Sequence, residues 1–173
     1  MKNLVEYLIP FKGLSIGKHD YKFHVQDTFF KALESEVVEK GDLQVDMVLD
    51  KESRLISVDI DIKGELSLVC DRCLEYFKFP IDISYTQIYK FGTPPDNQDD
   101  DIIYISEKEH QIDVSLLIYE NILLQIPIKK VHPDDENGES TCNKDQIELL
   151  QSLRKQPKAD PRWDVLKSIK FED

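Results

Sequence analysis

Through the first half of the chain apolar and polar side chains alternate. In YKFHV, Tyr21, Phe23 and Val25 alternate with Lys22 and His24, and in DLQVDMVLD the residues Leu43, Val45, Met47 and Leu49 share one parity. A period of two marks a strand with one dry and one wet face. In RLISVDIDIKGELSLVC, Ile56, Val58, Ile60 and Ile62 alternate with Asp59, Asp61 and Lys63 as far as Gly64, where the alternation reads as reset to Leu66, Leu68 and Cys70. Glycine inside such a run suggests a bulge or a bend, as at the corner of a barrel or sandwich. YFKFPIDISYTQIYKF resumes the period with Phe77, Phe79, Ile81, Ile83 and Tyr85, which leaves Cys70 and Cys73 at a tight turn between two long antiparallel strands. DTFFKALES predicts a short helix capped by Asp27 or Thr28, and DIIYIS one more short strand.

Beyond the loop Gly92–Asp101 the period changes. In DVSLLIYENILLQIP, Val114, Leu117, Ile118, Asn121 and Leu124 recur at helical spacing, with Asp113 as the cap and Pro127 as the stop. NKDQIELLQSLRK opens on an Asn143-x-x-Gln146 capping box, and DPRWDVLKSIKF places Asp160 at a cap with Pro161 at the first helical position. Strands first and helices last predict an α+β fold, with an antiparallel, barrel- or sandwich-like β-rich N-terminal part. The division expected is a single α+β domain over 1–131, then a variable loop and helical segment over 132–173.

Composition narrows the function. The chain has 173 residues, with 34 acidic against 22 Lys and Arg and a net charge of −12. Phosphate affinity comes mainly from Lys and Arg, so this balance argues against a simple nucleic-acid binder, with no DNA partner expected, and suits a basic protein partner. No apolar run approaches the roughly 20 residues that span a bilayer, and MKNLVEYLIPFKG is too short and too interrupted for a signal peptide, so a cytoplasmic protein without membrane contact is expected. No Gly-rich phosphate loop, nucleophile elbow or paired acid and base is evident, and the protein is expected not to be an enzyme. His24, on a polar strand face, suits a solvated side chain better than a catalytic base.

The cysteines carry the candidate chemistry. Three are too few for a disulfide framework. A redox C-x-x-C pair wants its first thiol at a helix N-terminus, whereas Cys70 and Cys73 are flanked by strands. A C-x-x-C turn between strands is the geometry of a zinc knuckle, and the residues able to complete four ligands are His132 and Cys142 in VHPDDENGESTC. The alternative is that the cysteines are small buried hydrophobes and His132 is solvated.

The stretches VCDRCLEYF, IDVSLLIYENILLQIPIKKVH and DPRWDVLKSIK, in this order, resemble the YceD family of large ribosomal RNA subunit accumulation proteins. The resemblance implies a cytosolic bacterial protein needed for normal levels of large-subunit ribosomal RNA, with no known reaction. It implies as partner the large-subunit RNA or a precursor particle; the acidic balance offers as the alternative a chaperone for a basic large-subunit ribosomal protein without direct RNA contact. Many relatives carry several cysteines in the loop after the helix, whereas here His132 to Cys142 holds one; that departs from a full zinc ribbon and leaves two readings open, a structural zinc as cofactor on Cys70, Cys73, His132 and Cys142, or no cofactor. For RNA contact the candidates are Arg154, Lys155, Lys158 and Arg162 in a locally basic stretch; Trp163 beside them suits a core anchor better than a base-stacking platform.

Overall fold

The computed structural model of the chain describes residues 4–95, 102–106 and 108–153. Two compact units are present, Met1–Val131 and His132–Asp173. The first unit contains β1 (Leu8–Ile9), β2 (Gly17–Gln26), α1 (Asp27–Ala32), β3 (Lys40–Lys51), β4 (Leu55–Val69), β5 (Tyr76–Phe91), β6 (Ile102–Ile105), β7 (Ile112–Asp113) and α2 (Ser115–Gln125); the second contains α3 (Lys144–Leu153). Among the described residues no helix is long and apolar enough to cross a membrane.

Strands β2 to β5 form an antiparallel meander, and the full sheet order is β2-β3-β4-β5-β6. The alternation read from the sequence sorts the sides: Leu43, Val45, Met47 and Leu49 of β3 and Ile56, Val58, Ile60 and Ile62 of β4 are buried. Phe29 and Phe30 of α1 and Ile118 and Ile122 of α2 are buried as well. Burying each such side chain contributes about 1.5–3 kcal/mol, which makes these faces the main source of stability.

The fold is α+β, but the sheet does not close into a barrel. β6 has four residues, runs parallel to β5, and does not pair with the ten-residue β2. Closure requires matched, staggered strands, and β6 is too short for that. A second full sheet is also missing among the described residues: β1 and β7 pair over two residues each, Leu8 opposite Asp113 and Ile9 opposite Ile112. Tyr7, Ile9 and Phe11 in this segment are buried, Val114 N–H donates to Tyr7 O at 3.0 Å, and Lys51 Nζ donates to the carbonyls of Phe11 and Leu14 at 2.9 and 2.7 Å.

Gly64 does not reset the alternation. Its neighbours Ile62 and Leu66 lie on the same buried face, and the pairing runs unbroken through Leu43 opposite Gly64 and Gly64 opposite Ile81. The residue is needed for close approach instead. At φ +149° an added Cβ would collide with the Asp42 carbonyl oxygen and come within 2.8 Å of Leu43 Cα. Asp27 also departs from expectation: it is the first residue of α1, and its carboxylate accepts from Gly41 N–H at 3.1 Å, pinning helix to strand. Asp113 does cap α2, accepting from Ser115 N–H at 2.8 Å.

Candidate metal centre

The turn joining β4 to β5 holds the first two thiols. Cys70 N–H donates to Glu75 O and Leu74 N–H to Cys70 O, both at 2.9 Å, so the chain closes on itself without starting a helix. Arg72 N–H donates to Cys70 Sγ at 3.4 Å. A backbone donor aimed at sulfur would stabilise the charge of a thiolate there. The next turn element is Leu74, at φ +62° and 75 % exposed. For a residue with a Cβ the left-handed conformation costs about 1–2 kcal/mol, while glycine gives back part of that in unfolded-state entropy. Leu74→Gly is therefore expected to stabilise the protein by about 0.5–1 kcal/mol, read as a rise in the urea midpoint; a fall would show that Leu74 makes a contact worth more than its strain.

Asp71, inside the same turn, is tied to the end of the first unit. Asp71 N–H donates to Lys130 O at 2.7 Å and Lys130 N–H to Asp71 Oδ2 at 2.6 Å. The sequence pattern gave no sign of this clamp, which holds the chain two residues ahead of His132.

In the second unit an antiparallel bridge pairs Asp134 with Ser140. Two residues outward on either side, that register sets His132 opposite Cys142. His132 Nδ1 and Cys142 Sγ are 3.6 Å apart. The loop inside the bridge is held by Asp135, whose carboxylate accepts from Asn137 and Glu139 N–H at 2.9 and 2.8 Å, and by Gly138 at φ +79°. Asn143 starts α3 as expected, its side-chain oxygen accepting from Asp145 and Gln146 N–H at 3.0 and 3.3 Å. A spacing too loose for an ordinary zinc finger is thus accommodated by a hairpin register.

One ligand atom from each of Cys70, Cys73, His132 and Cys142 lies within 4.8 Å of the other three. Four donors about 2.3 Å from a shared ion at tetrahedral angles would stand about 3.8 Å from one another, so the set is close enough to bind a metal and its chemistry is compatible with zinc. The three cysteines are buried. Elsewhere, His24 Nε2 bonds Asp42 Oδ1 at 2.6 Å on the wet face of the sheet, and His19 Nε2 bonds Ser15 O at 2.9 Å. The basic residues Arg154, Lys155, Lys158 and Arg162, together with Trp163 and the last expected helix, lie outside the described residues.

Comparison with known proteins agrees with the motifs. The model of the family described as large ribosomal RNA subunit accumulation protein YceD matches residues 58–170. The chain is also 28 % identical over 125 residues to the uncharacterized protein YlbN of Bacillus subtilis (strain 168), covering 72 % of each chain. No solved structure matches it. With more than half of its length matched, from β4 onward, the chain belongs to the YceD family.

Proposed function

We propose that this protein is a non-enzymatic, cytoplasmic factor in biogenesis of the large ribosomal subunit, supporting accumulation of its RNA chiefly by holding a basic ribosomal protein. The observation that carries this reading is the wet face of the five-stranded sheet. There Asp46 stands directly opposite Asp61, with Asp59 and Asp42 on the same side. Lys22 pairs with Asp46 at 2.7 Å and Lys63 with Asp82 at 3.7 Å, whereas Asp59 and Asp61 accept from the hydroxyls of Thr86 and Ser84. Like charges facing each other across strands destabilise a sheet, so a surface that keeps them is better matched to a cationic protein than to phosphate.

The four-ligand site fits this role as a structural zinc, because three thiolates and an imidazole leave no open position for a reacting water. It would hold the hairpin of the second unit in shape. The basic stretch containing Arg154, Lys155, Lys158 and Arg162 supplies the charge for a secondary contact with precursor RNA.

Affinity purification of tagged protein from cells, with and without ribonuclease, tests the reading. A large-subunit ribosomal protein is expected to remain after ribonuclease and to be released by salt. If only large-subunit RNA is recovered, and ribonuclease removes it, the basic stretch rather than the acidic sheet is the working surface. Neutralising Arg154, Lys155 and Lys158 should then abolish the association.

A further inference from the structure

Among the described residues, the side of the sheet that faces the core is left uncovered along one strip. Tyr85 belongs to the same parity of β5 as buried Ile81 and Ile83, yet it is 37 % exposed. Ile103 of β6, set on that side by its pairing with Tyr89, is 41 % exposed. α2 forms the facing wall. Its buried stripe runs through Ile118 and Ile122, and a second stripe, Leu116, Glu120 and Leu124, follows at i, i+4 and i+8 with Leu116 and Leu124 53 % and 81 % exposed. Together these walls enclose a groove of about 540 Å³, with Glu109 at its margin.

The floor of the groove offers little to a polar small molecule. Tyr85 Oη donates to Gln87 Oε1, Gln87 Nε2 to Ile88 O, and Asn121 Nδ2 to Leu117 O. Its charge is negative. Burial first, then Tyr85, Asp113 and Glu120, push the Tyr89 phenol up to about 12.

We propose that this groove docks an amphipathic helix of a cationic protein partner, with apolar residues at i, i+3, i+4 and i+7 entering between α2 and β6 and Lys or Arg meeting Glu120 and Glu109. The argument is charge complementarity joined to shape. A ridge of residues four apart on α2 is the surface against which a second helix packs, and the apolar strip is about 12 Å long, two helical turns. The inference rests on the proposed basic ribosomal partner only for the origin of the helix.

The probe is a synthetic peptide with Leu at those four positions and Lys or Arg at the exposed ones, titrated into the full chain by fluorescence anisotropy. Affinity on the order of 10 μM is expected, and a shuffled peptide of the same composition should bind at least about tenfold more weakly. Leu124→Lys and Ile103→Lys, on exposed side chains and checked for unchanged urea midpoints, should each weaken binding about tenfold or more; Asp46→Asn and Asp61→Asn on the wet face should change it less than twofold. Equal binding of the shuffled peptide, or sensitivity only to the wet-face variants, overturns the groove. So does a chain that self-associates in sedimentation and becomes monomeric on Leu124→Lys, because the occupant is then a second copy. Peptide binding without a copurifying ribosomal protein keeps the groove and removes the proposed function. Copurification that Leu124→Lys leaves intact removes the groove alone.

Discussion

Serine in place of Cys73 is expected to abolish metal binding and to unfold the second unit while leaving the sheet folded. The reason lies in how little the described part of the second unit buries. Among its described residues Cys142 is the only buried one, and α3 buries none. A described stretch with a single buried side chain is held little by apolar packing and gains most from a staple, and binding of structural zinc contributes roughly 10–16 kcal/mol in peptide systems. The measurement is metal content by plasma mass spectrometry together with hydrogen exchange. The wild-type chain should hold one zinc, Cys73→Ser and Cys142→Ser should hold almost none, and amides over 132–153 should lose protection by a factor of at least about 100, or close to 3 kcal/mol. Chelation of the wild-type protein should have the same effect. A metal-free wild-type chain with full protection of these amides would show that the cysteines are packing residues.

Gly64→Ala should be the most damaging single methyl in the sheet. The φ of +149° and the collision with the Asp42 carbonyl oxygen and Leu43 Cα act together, and both obstacles are backbone within the β3–β4 pairing, so neither can rotate away. A loss of at least about 3 kcal/mol in urea unfolding is expected. Gly17→Ala is the informative control, since Gly17 has φ +120° with open space around it and its substitution meets backbone strain alone. Equal losses at the two positions would mean that β4 shifts to admit the methyl and that the close approach is not limiting.

The long strands and α2 were legible because period two and period 3.6 are strong over ten residues or more. The short elements were not. β1 and β7 are two residues each, and the alternation of Tyr7, Ile9 and Phe11 that would signal buried chain is obscured by the apolar Leu8 between the first two. Gly64 reads as a change of phase although Ile62, Gly64 and Leu66 share one parity, since a glycine carries no side chain to show which face it occupies. Leu124 fits the helical spacing yet points to solvent, because spacing fixes an angle around a helix and not what covers it. The four residues that a C-x-x-C turn and a distant His and Cys offer as metal ligands have donor atoms that lie together among the described residues. What the sequence lacked there was the Asp134–Ser140 bridge, a tertiary feature that converts a wide interval into opposed positions.

That bridge separates ligand placement from chain length. Since His132 and Cys142 are set by pairing phase, extra residues at the loop tip around Asn137 and Gly138 would lengthen the excursion without moving either donor, and each doubling of such a loop costs only about 0.6 kcal/mol of closure entropy. A single residue inserted between His132 and Asp134 would instead turn the imidazole to the opposite face. Evolution is thus free to vary the tip in size and composition, while the two short arms below it admit change only in pairs.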